Sequence, residues 1–200
     1  MLDNHLLTGN LVRLAAIDPE KTAATWAKWG LNSEYLRLSD LGPATIHSQK
    51  AIKEWIEKHL DDWLACEFEI RTIEGDRAIG STGLGGDMKV HGDAFVGIGI
   101  GEPEFWGRGY GTEAMQLILR FAFMELNLQR VSLNVFDYNP RAVHSYEKAG
   151  FKHEGRQRGA LLREGKRWDL IFMGILREEW LAQNPAEALT AQPESTLGEN

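Results

Sequence analysis

Apolar residues recur at spacings of three and four through Ile52, Trp55, Ile56, Leu60, Trp63 and Leu64, the period of one helix face. Phe68 to Ile73 instead alternates residue by residue, the period of a strand with one covered face. Read the same way, Leu6 to Ile17 is a first strand with a local turn at Gly9-Asn10. Lys21 to Trp29 is a helix entered through Asp18-Pro19-Glu20 and stopped by Gly30. Beyond the turn at Glu74-Gly75-Asp76 come strands Ala78 to Leu84 and Ala94 to Ile100. Glu113 to Leu128 is apolar around nearly its whole circumference, which predicts a helix covered on most sides. Arg130 to Phe136 is a fifth strand, and a hairpin near Arg163-Glu164-Gly165-Lys166 leads into a last strand, Trp168 to Leu176. The order β-α-α-β-β-β-α-β-α-β-β is that of a mixed α/β chain.

Residues 1–182 are read as one domain. Residues 183–200 are polar, with Leu189 and Leu197 as the large apolar side chains, and are expected to remain disordered. With 43% hydrophobic and 26% charged residues the 200-residue chain has the composition of a globular domain with a sizeable core. No apolar run approaches the ~20 residues needed to cross a bilayer. Met1-Leu2-Asp3-Asn4-His5 has neither the basic nor the apolar region of a secretion signal. Cys66 stands alone, so no internal disulfide or thiolate metal cluster can form, and a cytoplasmic location is expected. A net charge of −7 argues against nonspecific nucleic-acid binding and suits a cationic small-molecule partner. The six histidines show no metal-ligand spacing, so no metal is expected.

The most informative stretch begins at the β-prone run Val96-Gly97-Ile98-Gly99-Ile100-Gly101, passes the turn Glu102-Pro103-Glu104-Phe105, and continues as Trp106-Gly107-Arg108-Gly109-Tyr110-Gly111-Thr112 into the long helix. Residues without a Cβ at 107, 109 and 111 let backbone N–H groups approach a ligand, and the start of a helix favours phosphate. Arg108 adds positive charge. The spacing is neither the P-loop nor the dinucleotide fingerprint. After the fifth strand comes Asn139-Pro140-Arg141-Ala142-Val143-His144-Ser145-Tyr146-Glu147-Lys148-Ala149-Gly150-Phe151. Asn139 suits an N-cap, Pro140 the first helical position and Gly150 a left-handed stop. Asn139 and Tyr146 lie two turns apart on one face.

Together these two motifs resemble the GCN5-related N-acetyltransferases (GNAT), particularly the branch of the ribosomal-protein N-terminal and spermidine acetyltransferases, over roughly residues 8 to 180. Trp106 departs from the family's usual Gln or Arg at the start of the loop. The resemblance implies the GNAT fold: a mixed sheet of about seven strands, splayed between the fourth and fifth, with about four flanking helices. It also implies acetyl-CoA as acyl donor, held by Ile98, Gly99, Ile100, Trp106, Gly107, Arg108, Gly109, Tyr110, Gly111, Thr112, Asn139, Arg141 and Tyr146. The acceptor would be an amine: a protein N-terminus, a polyamine, or a small antibiotic or amino-acid amine. A non-catalytic acyl-CoA-binding module is the rival reading. The resemblance involves neither nucleic acid nor membrane, and a homodimer is an open assembly.

Direct transfer in a ternary complex needs no nucleophilic Ser or Cys, so Cys66 is expected to be a small core residue. Tyr146 matches the family's proton donor to the leaving thiolate; a phenol stays protonated at neutral pH. No single base emerges. The fifth-strand glutamate of related enzymes corresponds to Asn134, which leaves Glu102 as the first candidate and Glu69 and Asp93 beside it, or an amine that arrives neutral. Trp26, Trp29, Trp55 and Trp63 sit at helical spacings that favour packing over amine stacking. Glu34 and Asp40 read as solvated loop residues.

Overall fold

The computed structural model describes residues 5–60, 66–86 and 88–190. Seven strands form one sheet in the order β1-β2-β3-β4-β5-β7-β6. They are β1 (Val12–Ala15), β2 (Cys66–Thr72), β3 (Ala78–Gly85), β4 (Asp93–Ile100), β5 (Arg130–Phe136), β6 (Lys152–Arg163) and β7 (Lys166–Leu176). All neighbours run antiparallel except β4 and β5. That parallel pair is joined at Asp93–Arg130, Ala94–Val131 and Phe95–Ser132 and then separates. From Val96 to Ile100, β4 stays paired with β3 while its other edge faces a gap. The expected splay is therefore present.

Helices cover both faces. On one side lies α5 (Tyr110–Arg120), whose Ala114, Met115, Ile118 and Leu119 are buried with Val12, Ile70, Leu84, Val96, Val131 and Leu133 of the sheet. On the other lie α1 (Pro19–Trp29), α2 (Ser33–Ser39) and α3 (Gln49–Leu60). Asp18 caps α1 by accepting from the Glu20 and Lys21 amides, as its place before Pro19 suggests. Asn139 likewise caps α6 (Pro140–Lys148) by accepting from Ala142 N. At the far end of α6, Gly150 has φ +100° and Phe151 N donates to Tyr146 O, a left-handed cap closing the helix.

Several sequence expectations are corrected. β1 is four residues long, because the segment before it turns back and only Thr8 bridges to Arg13. The long helix begins at Tyr110 rather than Glu113, and its last part, Phe121–Glu125, widens into a π-turn. Helix α2 was not expected; seven residues are too few for a periodic signal, although Asn32 accepts from Glu34 N and Tyr35 N as a cap. Short helices α4 (Met88–His91), α7 (Arg177–Gln183) and α8 (Pro185–Thr190) are also additional to the four expected. Thus 183–190, read as disordered, is helical except at Asn184, and Glu187 of α8 pairs with Arg120 at 2.7 Å. Trp63 and Leu64 lie outside the described residues, as does the remainder of the tail.

Candidate active site

The splay opens a cleft of about 230 Å³ between the free edge of β4 and helix α6, with the N-terminus of α5 at one end. It is lined by Ile98, Gly99 and Ile100 from the strand, Trp106, Gly107, Gly109, Gly111 and Thr112 from the loop and helix start, and Asn139, Arg141 and Tyr146 from α6. Eleven of the thirteen residues expected to hold acetyl-CoA therefore meet around one space. Gly107 (φ +70°) and Gly109 (φ +92°) adopt left-handed backbone, and a Cβ at Gly107 would meet nothing within 4 Å. The first helical bond runs from Glu113 N to Gly109 O, so the preceding N–H groups have no acceptor in the helix. These unused donors, the open loop and the unpaired strand edge fit a pyrophosphate joined to an extended arm.

Arg108 and Tyr110 lie outside the lining. The Arg108 guanidinium donates to Glu104 O at 3.1 Å and sits over the Phe105 and Tyr110 rings, while Tyr110 packs edge-on against Phe105. The arginine that faces the cleft is Arg141, held 4.2 Å above the centre of the Trp106 ring. Trp106 is itself fixed by donating from Nε1 to Ile100 O at 2.7 Å, so the residue that departs from the family pattern links strand, loop and α6. Thr112 is tied to Ser145 by a 2.7 Å hydroxyl pair that joins the two helices. His144 and Lys148 also border the cleft and were not anticipated. The helical period places Arg141, His144, Ser145 and Lys148 on one side of α6, which was the available signal.

Tyr146 faces the cleft and packs against Phe151. Burial pushes its phenol up to about 12, so it remains protonated throughout the neutral range. That suits a proton donor.

The carboxylates expected as bases are otherwise engaged. Glu102 Oε1 accepts from Trp29 Nε1 at 2.9 Å and Lys28 Nζ at 3.0 Å, and Oε2 accepts from Arg77 at 2.6 Å. Burial opposes its ionisation, but the hydrogen bonds from Trp29 and Lys28 and the charges of Arg77 and Lys28 outweigh it and hold the carboxyl below its usual range. It does not line the cleft. Glu102 is a clamp between α1 and the end of β4, poorly suited to accept a proton. Glu69 is 5% exposed and is taken up by Thr22 Oγ1 at 3.0 Å and by Arg71. Asp93 and Asn134 line neither this cleft nor its neighbour. Glu34 is exposed, and Asp40 accepts from Gly42 N beside the α2–α3 loop. Trp29 is core, and Trp26 packs on Trp55. Cys66 packs partly buried against the main core; burial, then the nearby Glu67 charge, raise its thiol.

A second cavity of about 500 Å³ adjoins the first across the outer part of β3 and β4. The two share Tyr35, Ser39, Ile98 and Gly99. A Cβ at Gly99 would lie 3.5 Å from Tyr35 Oη and 3.8 Å from Ser39 Oγ, so these hydroxyls stand over the strand where the cavities meet. The floor is Gly83, Gly85, Gly97 and Gly99, with Ser81 and Phe95, and a Cβ at Gly85 or Gly97 would meet nothing within 4 Å. Among the described residues the one charged side chain in the lining is Glu67, which lies just before the alternating strand expected from Phe68 and was not singled out in the sequence.

Known proteins resemble this chain in both sequence and shape. The family model for the acetyltransferase (GNAT) domain matches residues 12–152. A prophage-derived uncharacterized N-acetyltransferase of Bacillus subtilis, YokL, is 30% identical over 177 residues, covering 86% of this chain and 94% of that protein. The spermidine N(1)-acetyltransferase of Escherichia coli is 30% identical over 139 residues, 70% of this chain and 73% of its own length. The spermidine N-acetyltransferase of Vibrio cholerae, solved in complex with CoA and spermine, superposes with a TM-score of 0.77 at 26% identity, over 85% of this chain and 98% of that one. Among the described residues no helix is long and apolar enough to cross a membrane, and no group of His, Cys, Asp and Glu could hold a metal ion.

Proposed function

Because the chain belongs to the GNAT acetyltransferase family and is an acetyl-CoA-dependent N-acetyltransferase, we propose that its acceptor is a small aliphatic primary amine of the polyamine class. The observation that carries this reading is the junction at Tyr35, Ser39, Ile98 and Gly99 between a cleft suited to CoA and a glycine-floored cavity whose only charge among the described residues is negative. A cationic chain matches the sign of that cavity, and the bare glycine floor leaves room for it. The spermidine acetyltransferases among its relatives support the same class.

In this reading the amides from Gly107 to Thr112 and the Arg141 guanidinium hold the pyrophosphate. The backbone of Ile98 to Ile100 pairs with the pantetheine as an added strand would. The bound acetyl-CoA supplies an activated acyl group. Tyr146 donates its proton to the departing sulfur, and Asn139 holds the start of α6 so that Tyr146, two turns later, keeps its aim. Residues 1–182 form the working domain, which takes in nearly all of α7, with α8 packed beside it.

Mass analysis after incubating the protein with acetyl-CoA and spermidine tests the class. Monoacetylated spermidine is the expected product. Acetylation of a peptide α-amine with spermidine untouched would point instead to a protein N-terminus.

A further inference from the structure

Glu67 differs from three other shielded carboxylates on or beside the sheet. Glu69, Glu102 and Glu113 are each saturated by named donors, Glu113 by the amides of Asn10, Leu11 and Val12. Glu67 makes no hydrogen bond or ion pair among the described residues, although it is half-buried. Its place is defined by the sheet register: Glu67 is opposite Gly83, and Gly83 is opposite Gly97. A Cβ at Gly83 would fall 2.6 Å from Glu67 Cδ, so the side chain lies flat across β3 and reaches toward β4. There it borders the second cavity, and Gly97 is two residues, roughly 7 Å, from the junction at Gly99. A half-buried carboxylate that borders a cavity and has no protein partner among the described residues is free to receive a ligand, and such groups cluster at functional sites.

We propose that Glu67 is the catalytic residue that receives the acceptor's ammonium and removes its first proton. This rests on the acetyl-transfer reading above. The ammonium pairs with the carboxylate and gives up one proton to it. The neutral amine then forms the C–N bond to the acetyl carbonyl carbon as the C–S bond breaks. Tyr146 protonates the sulfur and takes back the second N–H proton, so phenol is restored. The products are amide, CoA thiol and one proton on Glu67, which passes to solvent.

Burial is the main influence on Glu67 and raises its carboxyl, while the charge of His59 on α3 works the other way. Tyr35 from α2 borders the same cavity, while Cys66, the preceding residue of β2, points to the opposite face and is influenced by Glu67 through its charge alone. A raised carboxyl is a better proton acceptor than an ordinary one.

The test is CoA thiol release at saturating acetyl-CoA, followed against pH for the wild type, Glu67→Gln and Glu67→Asp, with spermidine and a peptide α-amine as acceptors. The rise in Tm on adding CoA reports the fold of each variant. Glu67→Gln should lower kcat/KM for the amine by about 10²-fold near pH 7. Its KM for acetyl-CoA and CoA-induced Tm shift should be unchanged, and its rate should recover as pH approaches the amine's own pKa. Glu67→Asp should retain the shape of the wild-type pH profile. Glu67→Gln turnover within threefold of wild type, with a wild-type pH profile, would overturn the assignment of Glu67 alone. A wild type that releases no thiol with either amine would overturn acetyl transfer itself and the role of Glu67 with it.

Discussion

Trp29 Nε1 donates to Glu102 Oε1 at 2.9 Å, and the Trp29 ring fills the space that a side chain at residue 101 would need, 2.0 Å from where a Cβ at Gly101 would lie. This contact fixes the end of α1 to the end of β4 just before the phosphate loop. Trp29 also meets Tyr35 edge-on at 6.0 Å, so the clamp extends to the hydroxyl above the cavity junction. Glu102 thus acts on the site by holding its frame.

Glu102→Gln should destabilise more than it slows chemistry. The folded carboxyl lies below its unfolded value, so its contribution is present above the unfolded pKa and is lost as pH falls through the folded one. A melting series from pH 7 to pH 3 should show the wild type and variant converging in the acid range. At neutral pH kcat should fall less than in Tyr146→Phe; a larger fall would return Glu102 to the role of base.

Two glycines separate packing from access. Gly101→Ala forces its Cβ into Trp29 and should cost about 1–3 kcal/mol, or a Tm fall of roughly 2–12 °C. Gly97→Val enters open space over the second cavity and should leave Tm nearly unchanged while raising KM for the amine and sparing KM for acetyl-CoA. Steady-state kinetics and thermal melts check both. A rise confined to the KM of acetyl-CoA would move the acceptor elsewhere.

The loop and α6 were legible in the sequence because their chemistry is local: glycines before a helix, Asn-Pro at its start, and a tyrosine two turns on. The sheet and its splay followed from strand alternation and family resemblance. What escaped depends on contacts distant in sequence. Glu67 and Glu69 occupy equivalent places in an alternating strand, and only Thr22 and Arg71, which saturate one, distinguish it from the other. Tyr35 and Ser39 sit on a helix too short to show a period. Arg108 looked like the phosphate ligand by position, but the aromatic side chains of Phe105 and Tyr110 provide it with a local resting place, and Arg141 faces the cleft instead.

That exchange of roles is measurable. Arg141→Glu should weaken CoA binding about tenfold or more, the scale of one charge-assisted hydrogen bond, with a reduced dependence on salt. Arg108→Ala should change CoA affinity less. Calorimetric titration with CoA gives both values, and the reverse ranking would restore Arg108.

Removing the proton acceptor should also reveal a cost to the fold. A carboxyl raised by burial is bound more tightly by protons in the folded state, so stability is lost as pH rises through its folded pKa. Glu67→Gln should therefore melt higher than wild type at pH 8, with the gain vanishing near pH 4. A lower Tm at pH 8 would mean that Glu67 has a stabilising partner.

Ending the chain at Leu181 removes Glu187, the partner of Arg120, and Gln183, whose side chain lies against Gly150. Tm should fall by several degrees while KM for acetyl-CoA holds, since neither residue lines either cavity. An unchanged melt would leave α8 without a packing role.

The most direct measure of the central claim is kcat/KM from CoA thiol release with spermidine, a monoamine of similar length and a peptide α-amine, for wild type and Tyr146→Phe. A second positive charge should favour spermidine over the monoamine by about tenfold or more, equal to ~1.4 kcal/mol. Tyr146→Phe should lower turnover by about 10²-fold with every acceptor while CoA still raises Tm. Equal rates for spermidine and the monoamine, or wild-type turnover in Tyr146→Phe, would contradict the account.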